Sequence, residues 1–219
     1  IFDVTTPDSP SLLMVQELPL QINGVPVMIS GKPVSNHAFY ESRAGRRMIA
    51  VSPSAVPEAP SPVVVADTGI TGVDNRADYL LIYNRLFRES IQPLLTFQRS
   101  RGFEVRAVDV EEIFRDYSMG ELTPMAIKNF LLDTLRRWRV PPTYVCLFGD
   151  ATSDYRYDLR SGVTNLVPAY SFESRSKDIW ASEHWYSTLI GEDLLPDILL
   201  GRLPAREIPD AMEMVRKVA

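Results

Sequence analysis

From Tyr79 to the end of the chain, short unbroken apolar runs alternate with stretches of helical period, and few folds accept that rhythm. Tyr79-Leu80-Leu81-Ile82-Tyr83 offers no polar side to water, as expected of a strand covered on both faces. Leu86, Ile91, Leu94, Leu95 and Gln98 follow at helical spacing, and Gly102 is placed to end that helix. Phe103 to Val110 reads as a second strand. Thr123-Pro124 supplies a cap and a first-turn proline for a helix whose apolar face is Ile127, Phe130, Leu131, Leu135 and Trp138, stopped by Pro141-Pro142. Tyr144 to Phe148 is a third strand and Asp197 to Leu200 a fourth, short and buried. Gly201-Arg202-Leu203-Pro204 reads as a turn and Ile208 to Val218 as the last helix. Alternating strands and helices predict an α/β fold with a parallel sheet flanked by helices. Ala151 to Glu192, polar and aromatic, is expected to be a long structured loop.

Residues 1–65 follow another rhythm. Short alternating runs, Leu18 to Ile22, Val25 to Ile29 and Arg47 to Val51, are punctuated by Pro and Gly, the pattern of a short all-β segment. Asn23-Gly24 between two of them marks a tight hairpin, because both residues tolerate positive φ. Pro53, Pro57, Pro60 and Pro62 stiffen the next stretch into a linker. The expected division is a β-rich segment over 1–65, the end of a preceding β-domain plus its linker, and an α/β unit over 66–219.

The balance of charges removes several classes of function. With 23 Lys and Arg against 28 Asp and Glu, the net charge is −5, and basic residues are interleaved with acids, so no nucleic-acid surface is expected. Arg136, Arg137 and Arg139 fall at a helix end, where cations complement the dipole. No apolar stretch approaches the roughly 20 residues that cross a bilayer, so no membrane span is expected. The single Cys146 permits no internal disulfide. Without an initiator Met or a leader, the chain reads as a segment of a longer polypeptide.

Nucleophilic catalysis needs a base within hydrogen-bond reach, and the chain holds only His37 and His184. His37 reads as a surface or packing residue of the β segment, and His184, in Ser182-Glu183-His184-Trp185-Tyr186, as structural or peripheral. Cys146 lies inside a strand expected to be buried, a setting that disfavours a reactive thiolate. No catalytic residue is therefore assigned. Carboxylates gather near the carboxyl edge of the expected sheet, among them Asp150, Asp154, Asp158, Asp178 and Glu183. Calcium takes six to eight oxygen ligands from such groups, and a calcium site using Asp150, Asp154 and Glu183 is the expectation.

The order of segments resembles the gingipain family of cysteine peptidases, including the sortase component of the type IX secretion system. The shared stretches are Phe2-Asp3-Val4-Thr5 with Pro7, Ala77 to Ile82, Gly102 to Val105, Ile113-Phe114, Tyr117-Ser118-Met119-Gly120 and Ala126 to Leu131. The most specific are Tyr144-Val145-Cys146-Leu147-Phe148-Gly149-Asp150-Ala151 with Asp154-Tyr155, then Val167-Pro168, then Pro196-Asp197-Ile198 with Gly201-Arg202-Leu203-Pro204-Ala205. Where family members often carry Ser-Asp-Asp-Tyr-Tyr, this chain has Ser182 to Tyr186 with Glu183 and His184 inside.

The resemblance implies a caspase-like fold of which residues 66–219 form the first subdomain. It also implies an endopeptidase whose His and Cys lie after the Gly-Arg-Leu-Pro match, so that this segment alone is inactive. The partners implied are a protein or peptide substrate and the rest of the same polypeptide, and the location is secreted, periplasmic or cell-surface. A non-catalytic protein-binding module, using the aromatic stretch Tyr155 to Tyr186, and a sortase-like transpeptidase are the alternatives.

Overall fold

The chain divides into two units, Ile1–Val65 and Ala66–Ala219. The structure, a computed structural model, describes residues 2–3, 5, 11–12, 16–29, 32–33, 35–38 and 48–49 of the first and 67–152, 154, 162–174 and 177–219 of the second. In the first unit every described strand pair is antiparallel. β1 (Phe2–Asp3) lies between β2 (Ser11–Leu12) and β9 (Met48–Ile49), and β3 (Gln16–Pro19) pairs with β8 (Ser35–Ala38). β4 (Gln21–Ile22) pairs with β5 (Val25–Pro26), and β6 (Met28–Ile29) with β7 (Lys32–Pro33). The β4–β5 turn is Asn23-Gly24, at φ 53° and 79°, the double positive φ that the sequence signals there. The proline-rich stretch 53–62 lies outside the described residues.

The second unit is built on four parallel strands in the order β11-β10-β12-β15: β10 (Tyr79–Tyr83), β11 (Val105–Asp109), β12 (Tyr144–Phe148) and β15 (Leu199–Leu203). Strand alternation sends Leu80, Ile82, Val145 and Leu147 to one face, and Leu81, Tyr83, Cys146 and Phe148 to the other. Helices α2 (Val110–Ser118), α3 (Pro124–Arg137) and the short α4 (His184–Ser187) cover the first face through Ile113, Phe114, Ile127, Phe130, Leu131 and Tyr186. Helices α1 (Gln92–Ser100) and α5 (Ile208–Val218) cover the second through Leu94, Leu95, Ala211 and Val215. The result is a mixed α/β unit, its parallel sheet sandwiched between helices. Each large side chain fully buried in these layers contributes about 2 kcal/mol of hydrophobic stabilisation.

β10 and β12 occupy the expected residues; three other segments differ. Asp109 ends β11 and at once caps α2, its carboxylate accepting from the Glu111 N–H at 3.1 Å, so strand passes into helix with no loop between. That helix has no counterpart in the sequence reading, which runs the strand to Val110. The fourth strand begins at Leu199, not Asp197, and absorbs Gly201, Arg202 and Leu203, which the sequence suggests as a turn. It is also the edge of the sheet, with Leu199 and Gly201 exposed, and not a buried strand. The stretch 151–192 contains a hairpin of β13 (Tyr170–Glu173) and β14 (Ile179–Ser182) before α4. Among the described residues no helix is long and apolar enough to cross a membrane.

Candidate functional site

In an open α/β sheet, ligands gather at the carboxyl ends of the strands where the winding reverses direction, here between β10 and β12. This crevice is filled by the protein itself. The Asn84 N–H donates to the Phe148 carbonyl at 3.3 Å, while Asn84 Nδ2 donates to the Leu166 carbonyl at 3.2 Å. The Leu166 and Val167 N–H groups both donate to the Asp150 carbonyl, each at 3.1 Å. Gly149, at φ 141°, makes this closure possible: a Cβ there would sit 3.0 Å from Val167 Cγ2 and 3.2 Å from Leu166 Cβ.

Arg202 fastens the same edge from β15. Its Nη1 donates to the Gly149 and Val167 carbonyls at 2.6 and 2.7 Å, and its Nη2 to the Pro168 carbonyl at 3.3 Å. Its Nε and Nη2 also grip Glu183 Oε1 and Oε2 at 2.7 and 3.2 Å, the fork-on-fork pairing that guanidinium geometry favours. The Arg202 side chain is only 10% exposed, so these contacts satisfy a nearly buried cation. Tyr186 Oη adds a bond to the Pro168 carbonyl at 2.7 Å. Arg202 is the fastening residue to which the sequence reading assigns no role of its own; a lone Arg between Gly201 and Leu203 in an apolar run is the signal that it is held by something specific.

The three carboxylates expected to hold calcium are not brought together as one group. Glu183 is committed to Arg202, and Asp150 to Arg206, whose Nε donates to Asp150 Oδ2. Asp154 is buried beside Thr152, whose Oγ1 accepts from the Asp154 N–H at 3.3 Å. Among the described residues no three His, Cys, Asp or Glu side chains gather as a metal ion would require. Asp158 lies outside the described residues. Asp197 accepts from the N–H groups of Ile190 and Leu189, at 2.8 and 2.6 Å, which hold its carboxyl below the ordinary value.

Cys146 and His184 stand on opposite sides of the sheet. Cys146 belongs to the cluster under α1 and α5, whereas α4, which carries His184, seats Tyr186 in the cluster under α2 and α3. Burial pushes the Cys146 thiol up to about 11, against weaker opposing effects of the Tyr79 hydroxyl and the Arg202 charge. At neutral pH it is a protonated core thiol. His184 is exposed; its Nδ1 lies 3.5 Å from Ser187 Oγ, but that buried hydroxyl donates to the His184 carbonyl at 2.8 Å, a bond within one helical turn. His37 lies on β8 of the first unit. These residues offer no thiolate–imidazole pair.

The family model of Peptidase family C25 matches residues 73–219, more than half of the chain. Among solved structures, the chain is similar to dimeric latent PorU from Porphyromonas gingivalis, at 20% identity and a TM-score of 0.55, over 65% of this chain and 15% of that one. It is also similar to RgpB of the same organism in the complex of its pro- and mature domains, at 19% identity and a TM-score of 0.50, over 65% of this chain and 28% of that one. A third similarity is to the Arg-specific cysteine proteinase gingipain R, with 19% identity, a TM-score of 0.50 and coverages of 66% and 28%. The chain therefore spans well under a third of each of these structures, and at such identities the likeness shows the fold. No curated protein matches the chain.

Proposed function

The chain belongs to peptidase family C25, and on that premise we propose that residues 66–219 are the scaffold subdomain of a gingipain-like cysteine endopeptidase whose Cys and His are supplied by the rest of the polypeptide. One observation carries this reading: the only cysteine in the chain is buried on a central strand, with a thiol that stays protonated. In the whole enzyme a thiolate elsewhere would attack the peptide carbonyl, an imidazole would protonate the leaving amine, and backbone amides would hold the oxyanion. The contribution of these residues is a rigid wall: the filled crevice and the Arg202 fastening keep the carboxyl edge of the sheet in one shape. The substrate would be a protein or peptide, and the location secreted, periplasmic or at the cell surface. Whether water or an amine resolves the acyl-enzyme separates peptidase from transpeptidase and lies with the remaining polypeptide.

Calcium at Asp150, Asp154 and Glu183 is a separate proposal, and an expensive one, since Arg206 and Arg202 would have to release two of the carboxylates. No step of the chemistry is routed through it. Melting curves with and without millimolar calcium decide it: a shift supports the site, and coincident curves remove it.

A second reading, a non-catalytic binding module, draws support from the hairpin β13–β14, where Phe172 and Trp180 face each other across the strands and both are exposed. Peptide hydrolysis separates the two. The 219-residue chain and the full-length protein are assayed side by side, each with and without a thiol alkylator. Cleavage by the full-length protein alone, abolished by alkylation, is the expected result. Cleavage by neither would favour the binding module, and cleavage by the short chain would overturn the assignment of Cys146.

A further inference from the structure

The segment that leads into β10 is bound more closely than a connector requires. Ile70 is 1% exposed and packs in the core cluster under α2 and α3. Its carbonyl accepts from Trp138 Nε1 at 3.0 Å and from Asn75 Nδ2 at 3.1 Å. The Gly69 carbonyl accepts from the same Asn75 amide at 2.7 Å and from Arg106 Nη2 at 3.5 Å. Arg106 lies over the Trp138 ring, 5.2 Å from its centroid, and donates to Asn75 Oδ1 at 2.6 Å, so these donors are themselves held in place. One residue earlier, Thr68 Oγ1 accepts from Arg115 Nη2 at 3.1 Å and donates to Asp116 Oδ2 at 3.3 Å. Connecting segments ordinarily run over the surface with their backbone groups turned to water. Here a hydroxyl, two carbonyls and an aliphatic side chain, from three consecutive residues, are all taken up by Asn75, β11, α2 and the residue that ends α3. The family match starts at residue 73, so none of the three belongs to it.

We propose that Asn75, Arg106, Arg115, Asp116 and Trp138 form a peptide-docking site, and that residues 67–72 occupy it as a bound segment of the same chain. The chemistry of the occupant follows from the contacts: a hydroxyl, then glycine, then a β-branched aliphatic residue. The hydroxyl both accepts and donates, which threonine or serine can do and a carboxylate or an ammonium cannot. Glycine is required at the second position because φ there is 67°, in the left-handed region that side chains disfavour, and this turn brings two successive carbonyls to one amide. The aliphatic side chain completes the core under α2 and α3. A bound segment differs from a covalent connector in one respect: it remains when the backbone is cut. The site therefore holds the polypeptide that precedes residue 67 to the α/β unit by side-chain recognition, in addition to the peptide bonds that lead into β10.

Cutting the folded chain tests the proposal. A site-specific protease sequence is inserted between Val73 and Asp74, both exposed, in the 219-residue chain, which is cleaved after folding. At about 100 µM, a concentration suited to an interface well below standard size, the pieces 1–73 and 74–219 should sediment together. Ile70→Ala should weaken the association about tenfold or more. Thr68→Val keeps the shape of the side chain, removes both hydroxyl bonds and should weaken it severalfold, so the site is tested even where Ile70→Ala loosens the core before cleavage. Val73→Ala, at an exposed side chain, should leave the association unchanged. Separation of the pieces of the unsubstituted chain, or an association that Ile70→Ala and Thr68→Val both leave intact, would overturn the proposal.

Discussion

The crevice at the ends of β10 and β12 and the outer side of β15 belong to the same sheet, yet among the described residues one is sealed and the other open. In the crevice, Asn84 and Arg202 donate to the carbonyls of a returning loop, the Asp150 carbonyl accepts from that loop's N–H groups, and a glycine lets the loop lie directly on the sheet. Along β15, the outward backbone of Leu200 and Arg202 meets no strand among the described residues, and the adjoining cleft is lined by apolar side chains. The place where an open α/β sheet ordinarily takes its ligand is thus filled by the protein's own loop, whereas the β15 side carries no such loop among the described residues.

The largest break in the comparison is expected from Arg202→Ala. It strands the Glu183 carboxylate and withdraws donors from three carbonyls, and loss of one partner from a nearly buried pair costs about 3 kcal/mol. Urea unfolding measures the loss, and hydrogen exchange should rise over 162–174 before it rises in β10. Next comes Gly149→Ala, expected to cost about 2 kcal/mol, because the added methyl meets Val167 in a backbone conformation that side chains rarely adopt. If both variants melt like the parent, the crevice is not the rigid element described here.

The sealed and open regions were not equally legible in the sequence. β10 and β12 were, because five consecutive apolar residues can be satisfied only by burial on both faces. The faces of α3 and α5 were, because their period is carried by large side chains. Arg202 was not: Gly201 and Pro204 are turn formers by local preference, and only the fold brings Glu183 and the carbonyls of Gly149, Val167 and Pro168 to the guanidinium. α2 was hidden for the opposite reason. Its cap, Asp109, is also the last residue of a strand, so no turn residue separates one period from the other, although Val110, Ile113 and Phe114 carry the helical spacing. At the candidate calcium site the acids were legible as a cluster, but their arginine partners come from later in the chain.

A smaller effect concerns the cleft wall. The Cys146 thiol ordinarily titrates at 9.0 and is raised to about 11 in the folded protein, so folding favours its protonated form. The stability tied to that form is fully present below pH 9 and is lost as the pH rises towards 11. Cys146→Ala should therefore flatten part of the fall in stability between pH 9 and 11, as followed by urea midpoints. A thiol alkylator at pH 8 should label the native chain far more slowly than the urea-unfolded one.

The smallest effect is expected at Leu199, and its smallness is what makes it informative. The side chain is more than half exposed at the rim of the open cleft, so Leu199→Lys removes little buried area and keeps the ammonium in water. The change in unfolding free energy should stay within about 0.5 kcal/mol, against the far larger cost at Arg202 only three residues along the same strand. A cost near that of Arg202→Ala would mean that Leu199 is covered by another part of the protein, and this edge would then be closed rather than open.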